Sequence, residues 1–80
     1  MSLAVRKTKD YPSIVRASVS SDKISVSLSD GREVSIPLAW SQRLLQATPE
    51  QRANLKISPT GYGIHWPDVD EDLCVKAFLD

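Results

Sequence analysis

Cysteine occurs once in these 80 residues, histidine once and glycine three times. Cys74 alone excludes an intramolecular disulfide, which suits a reducing cytoplasm. A lone histidine, His65, leaves one candidate general base, and no Gly-x-Ser-x-Gly elbow accompanies the serines. The glycines build no phosphate-cradling loop, because Gly61-x-Gly63 leads into a strand pattern and not a helix. No apolar run is long enough to span a bilayer, and the N-terminus lacks the hydrophobic stretch of a signal peptide. Net charge is zero, so the chain as a whole lacks the electrostatic footprint of a nucleic-acid binder.

What is present is one small domain's worth of apolar residues, 41% of the chain, an ordinary share for a globular protein. A domain of this size buries only about 60% of its unfolded surface, so a partner chain or a homodimer that covers more is a natural expectation. The charges are unevenly spread: residues 1–60 carry nine Lys/Arg against five Asp/Glu, residues 61–80 one against five. The two ends can attract each other within one fold, or present a dipolar surface to a charged partner.

Residues 1–12 read as a polar, loosely ordered lead-in and residues 13–80 as a single domain. Ile14–Ser20 alternates, with Val15, Ala17 and Val19 on one side. Lys23–Ser29 alternates more cleanly, Ile24, Val26 and Leu28 against serines, and Val34 and Ile36 continue the pattern. Such alternation with β-branched residues predicts a three-stranded antiparallel meander with a serine-rich wet face. For the second hairpin, a three-residue loop, Ser29-Asp30-Gly31, pairs Val26 with Val34 and Ile24 with Ile36. A two-residue loop would turn Val34 toward the serines. The loop therefore calls for Gly31 in the left-handed region.

After Pro37 the period lengthens. Trp40, Leu44 and Ala47 recur at helical spacing, predicting a helix near Leu38–Ala47 with Trp40 and Leu44 in the core. Thr48-Pro49-Glu50-Gln51 is a capping box with proline at the first helical position, predicting a second helix over Pro49–Asn54. Leu55 and Ile57 allow a short strand, and Tyr62, Ile64 and Trp66 a further one ended by Pro67. Trp66, like Trp40, is a large aromatic expected in the core. Asp68 or Asp70 then caps a final helix to about Leu79, its first turn filled by Asp70, Glu71 and Asp72. The expected class is α+β, a small antiparallel sheet of three strands plus one or two later ones, with two to three short helices on one face.

The densest chemistry lies in Gly61-Tyr62-Gly63-Ile64-His65-Trp66-Pro67-Asp68-Val69-Asp70-Glu71-Asp72-Leu73. His65 and the spaced acids resemble a metal cluster, but a calcium loop counted from Asp68 would need glycine where Leu73 stands and glutamate where Leu79 stands. Cys74 has no zinc-ligand spacing to His65. No complete catalytic constellation is present, so neither an enzyme nor a cofactor is expected. Two readings of the run remain. Either His65-Trp66-Pro67 beside Asp70, Glu71 and Asp72 is an anchor for a protein partner, or His65 is hydrogen-bonded to an acidic side chain and ties the strand to the last helix. The alternatives of another class are a DNA-associated regulatory domain using the basic N-terminal half (Arg6, Lys7, Lys9, Arg16 and Lys23) and a metal-dependent or hydrolytic enzyme centred on His65.

Ser29-Asp30-Gly31-Arg32, Ile36-Pro37-Leu38-Ala39-Trp40, the run from Arg43 to Asn54 and above all Gly63-Ile64-His65-Trp66-Pro67 followed by Asp70-Glu71-Asp72 resemble the small bacterial family called domain of unknown function 2442. Ser41-Gln42 departs from the aromatic-proline pair often found there. The resemblance implies a small α+β domain without established catalytic residues. It further implies an antitoxin-type module that binds a toxin-like protein. The residues themselves, read without the resemblance, suggest a cytoplasmic protein with Gly31, Trp40, Leu44, Thr48, Gly61, Gly63 and Asp68 in structural roles.

Overall fold

The computed structural model describes residues 11–79, so all but the last residues of the lead-in, Arg6, Lys7 and Lys9 included, lie outside the described part. The fold is α+β, built as two three-stranded antiparallel sheets rather than one sheet with added strands. The first is a meander of β1 (Ile14–Val19), β2 (Lys23–Leu28) and β3 (Glu33–Pro37). A 3-10 turn (Leu38–Trp40) and two short helices, α1 (Gln42–Leu45) and α2 (Pro49–Ala53), follow. The second sheet contains β4 (Lys56–Ile57), β5 (Gly63–Trp66) and β6 (Glu71–Cys74), and α3 (Val75–Leu79) closes the chain. Among the described residues no helix is long and apolar enough to cross a membrane.

The first sheet follows its alternation. Ile24 pairs with Ile36 and Val26 with Val34, the register that the three-residue loop requires. Gly31 has φ +96° and donates to the Leu28 carbonyl at 3.0 Å, while Leu28 donates to Arg32 at 2.8 Å. One face differs from expectation. The register shifts between Ile14 and Arg16, a bulge that inserts Val15 as an extra residue. Ile14, Ala17 and Val19 keep the inward positions, and Val15 is turned out at 56% exposure.

The region after Pro37 breaks into pieces. Ser41, in extended conformation, caps α1 by accepting from the Leu44 amide, so Trp40 and Leu44 do not share a continuous helix. The i, i+4 relation that placed Trp40 beside Leu44 is lost: Leu44 is buried, whereas Trp40 is 70% exposed. The expectation of Trp40 in the core is thus overturned. Helix α2 starts as its capping box dictates, with Gln51 N donating to Thr48 Oγ1 at 3.1 Å and Thr48 N to Gln51 Oε1 at 2.9 Å.

The largest correction concerns the last segment. Glu71–Cys74 is a strand paired with β5, Trp66 opposite Glu71 and His65 opposite Asp72, and the helix begins only at Val75. Residues 67–70 form the connecting turn, with Asp70 at φ +54°, a conformation aspartate tolerates better than most residues but a helix cannot pass through. Neither Asp68 nor Asp70 is therefore a helix cap. Val75 and Phe78 face the core, and Ala77 is exposed.

Both sheets feed one core. Ile24, Val26, Leu28 and Ile36 from the first, Ile64 and Trp66 from the second, and Leu38, Leu44, Val75 and Phe78 from the helical segments form a single apolar cluster. Tyr11 packs against it from the end of the lead-in. The sheets are joined where Ile14 N donates to Gly61 O at 2.7 Å and Ser13 Oγ to Thr60 O at 3.1 Å. Gly61, at φ +75°, is needed there twice over: a Cβ would lie 2.6 Å from Ser13 Cβ and 3.1 Å from the Ile14 backbone.

Candidate functional site

The β5–β6 hairpin has an inner and an outer side, and the chemistry divides between them. On the inner side, Trp66 is 0% exposed and its indole Nε1 donates to the Arg52 carbonyl at 3.0 Å. An indole N–H buried with an apolar ring needs such a partner. The same Arg52 donates from Nε to Leu44 O and from Nη2 to Leu45 O, both at 2.9 Å, tying α2 to α1. The turn is then held from three further points. Ser41 Oγ donates to Glu71 Oε2 at 2.6 Å, Arg43 Nη1 donates to the Asp70 carbonyl, and Asn54 Nδ2 donates to Asp68 Oδ2 at 3.0 Å.

This assigns much of the dense run to folding. Trp66 is unavailable to a partner protein, which corrects its place in the expected contact. Glu71 is half-buried and committed to Ser41, with Oε1 accepting from Asp72 N at 3.0 Å. Pro67, Asp68 and Asp70 are exposed at the turn, and Asp68 is held by Asn54. Ser41 itself escapes a reading of the sequence: its carboxylate partner is thirty positions away, and no local pattern announces it.

On the outer side, alternation places Lys56, His65 and Asp72 in one row across the sheet, with Gly63 and Cys74 in the next. His65 Nδ1 lies 2.7 Å from Asp72 Oδ1, the two side chains being 43% and 72% exposed. A carboxylate can only accept, so Nδ1 carries the proton, and in the neutral imidazole Nε2 is left as an acceptor. The expected bond between His65 and an acidic side chain thus exists, but it crosses between two strands and does not reach a helix. Tyr62, 49% exposed, lies against Cys74, whose thiol pushes the phenol pKa above its ordinary value of 10.0 through its charged form first and the hydrogen bond second.

These side chains border an open groove of about 500 Å³ lined by Ser58, Tyr62, Gly63, His65, Asp72 and Cys74, among others. Gly63 lines it without a side chain, and a Cβ there would press to 3.2 Å of the Leu73 carbonyl oxygen. Ser58 Oγ accepts from the amides of Tyr62 and Gly63 at 3.1 and 3.2 Å, which fixes the mouth of the groove. Among the described residues no three of His, Cys, Asp or Glu gather as a metal-ligand set. Tyr62 and Ser58 are the bordering residues that sequence reasoning passed over, because a strand-end tyrosine carries no signal of which face it will join.

Comparison with known proteins places this geometry in a family. The model of the family described as "Protein of unknown function (DUF2442)" matches residues 14–80, and the chain belongs to that family. The crystal structure of a protein of unknown function from Rhodospirillum rubrum is similar, at 28% identity and TM-score 0.75, covering 88% of this chain and 87% of that one. The solution structure of an uncharacterized protein from Chromobacterium violaceum is similar at 28% identity and TM-score 0.71, covering 86% of this chain. The match spans 65% of that second protein's length. None of the curated proteins matches.

Proposed function

We propose that this domain is a regulatory module that binds a partner protein, and that the contact is the outer face of the second sheet. One observation carries the reading. After the fold has consumed Trp66, Glu71 and Asp68 in internal bonds, Tyr62, His65 and Asp72 remain exposed around a groove. Exposed aromatic and hydrogen-bonding groups around a concavity are the stuff of interface anchors. The contact expected from the sequence therefore narrows to His65 and Asp72 and gains Tyr62.

An antitoxin-type role, with a toxin-like protein as the partner, is what the family resemblance implies. The two similar structures are themselves of unknown function and lend it no further support. The test begins by capturing partners on the tagged domain from its own organism. The captured protein is then purified, and its affinity is measured against the wild type and a His65→Ala, Asp72→Ala variant. Trp40→Ala serves as a control on a second exposed aromatic. Loss of about tenfold or more in affinity for the double variant alone supports the reading. Unchanged affinity in the double variant, or loss only in Trp40→Ala, sinks it.

A further inference from the structure

We propose that the groove on the outer face of the second sheet takes an arginine side chain of the partner protein. Its guanidinium would lie over Gly63, beside Tyr62 and His65 and hydrogen-bonded to Asp72. The inference rests on the protein-binding reading above and names the chemistry that the site selects.

Spacing is the first argument. The His65–Asp72 pair and the Gly63–Cys74 pair occupy successive outward rows, and outward rows of a strand are separated by about 6.4–6.8 Å. Tyr62 lies against Cys74, so one ring borders the groove near each row. Tyr62 and His65 both line the groove, and a flat group packs at about 3.5 Å against a ring face. Gly63 leaves its own place in the second row without a side chain, and it lines the open groove. A guanidinium is planar, stacks on aromatic faces and presents its donors in the plane of the ring edge.

Acceptors are the second argument. Asp72 spends Oδ1 on His65, which aims the carboxylate and leaves Oδ2 without a donor among the described residues, at a side chain 72% exposed. In the neutral imidazole, His65 Nε2 is a second acceptor once Nδ1 has donated. A charge-assisted bond from a guanidinium to Asp72 is of the strong kind. An ammonium would meet the same carboxylate but would not stack as a plane between the two rings.

Surrounding charge narrows the partner further. Residues 61–80 carry five acids against one lysine, and Asp70 is exposed at the end of the same hairpin. Lys56, however, stands across from His65 on the far side from Asp72, and Lys76 lies near enough to Tyr62 to act on its phenol. These two lysines repel a run of cations. The site therefore fits one arginine flanked by neutral or acidic residues, not a polybasic stretch.

The experiment is an amide chemical-shift titration of the full chain with acetyl-Gly-Arg-Gly-amide, beside peptides carrying citrulline, lysine or glutamate at the centre. Citrulline keeps the shape and the plane but removes the charge. The arginine peptide is expected to move the amides of Gly63, His65 and Asp72, with affinity about tenfold above the citrulline and lysine peptides. Asp72→Asn should erase that preference, and Asp72→Glu should restore part of it. Tyr62→Leu should weaken arginine more than lysine. Unchanged amides for Ile24 and Val26 in each variant show that the fold has survived. Equal response to arginine and citrulline, or arginine shifts confined to residues outside the groove, overturns the proposal. Should the arginine peptide fail while partner affinity still depends on His65 and Asp72, the arginine assignment falls and the binding role stands.

Discussion

The first sheet shows solvent Ser18, Ser25, Ser27 and Ser35, whereas the second shows it Lys56, His65, Asp72 and Cys74. Inward, the two are alike: each turns β-branched and large apolar side chains to the same core. They differ also in how they are held. The meander is fixed by neighbours in the chain, a three-residue loop and a Ser25–Ser35 hydroxyl bond of 2.8 Å between adjacent strands. The β5–β6 hairpin is fixed from a distance, by Ser41, Arg43, Arg52 and Asn54 reaching over from α1, α2 and their caps. A sheet made by local rules can leave its surface bland. One that depends on remote clamps has its special residues explained by folding first, and only what is left over speaks of function.

The two tryptophans test that division most severely. Trp66→Ala removes a fully buried ring and leaves the Arg52 carbonyl without its donor. A cost of about 3–5 kcal/mol is expected, enough to unfold a domain of marginal stability. Trp40→Ala, at an exposed ring, should stay within about 0.5 kcal/mol of the wild type. Urea denaturation of both variants settles the matter. A folded Trp66→Ala of near-native stability would return that residue to the list of surface anchors.

Each sheet also depends on one left-handed glycine, and the pair should not respond equally. Gly31 sits in open space, so Gly31→Ala should cost only the left-handed backbone term of about 1–2 kcal/mol. Gly61→Ala adds the same backbone strain to a Cβ placed 2.6 Å from Ser13 Cβ, at the seam where the sheets are joined. It should therefore exceed Gly31→Ala in the same denaturation series. Equal costs would mean that the seam yields, and that the two sheets are less firmly coupled than the Ile14–Gly61 bond suggests.

The same contrast explains what could be read in advance. Alternation of Ile24, Val26 and Leu28 fixes strand, face and, through the loop length, register, because period and turn chemistry agree. Thr48 to Gln51 likewise carries its own start signal. From Asp68 onward the local signals mislead. Three acids before Leu73 look like a helix start, and Val69, Leu73 and Ala77 fall at a spacing of four. Yet pairing with Gly63–Trp66 and the left-handed Asp70 override both. Over so short a run a period of 3.6 and a period of two cannot be told apart. Val15 fails for another reason, since a bulge leaves no mark in the composition. Of the candidate contact, His65 and Asp72 were visible as unusual residues and Trp66 as a large aromatic suited to the core, but that Tyr62 turns out depends on the assembled hairpin.

Removing one clamp of the second sheet is the next smaller perturbation. Ser41 is buried, caps α1 through the Leu44 amide at 3.2 Å and donates to Glu71. Ser41→Ala should cost about 1–2 kcal/mol, a lost cap joined to a half-buried carboxylate left short of a donor. Hydrogen exchange would show where the loss is felt. Faster exchange at β6 amides with β2 and β3 unchanged is the expected result, because the clamp belongs to one sheet only. Uniform acceleration across both sheets would mean that they open together, and the contrast between local and remote support would lose its force.

The smallest effect lies in the first sheet's turn, where the ion pair is as local as the rest of that sheet. Asp30 accepts from Arg32 Nε at 2.8 Å and from the Arg32 amide at 3.1 Å. That side-chain bond, and after it the backbone one, hold the carboxyl below its ordinary value of 3.8. A depressed carboxyl stabilises the fold above the unfolded value, and the contribution fades as pH falls through the folded one. Wild type should therefore hold a slightly higher Tm than Asp30→Asn at pH above about 5, with the difference vanishing near pH 2. The shift is expected to be small because the pair is exposed and water screens it. A larger loss of Tm in Asp72→Asn than in Asp30→Asn would show that the cross-strand His65–Asp72 pair contributes to stability. The residue pair proposed for binding would then be one more device for holding the second sheet together.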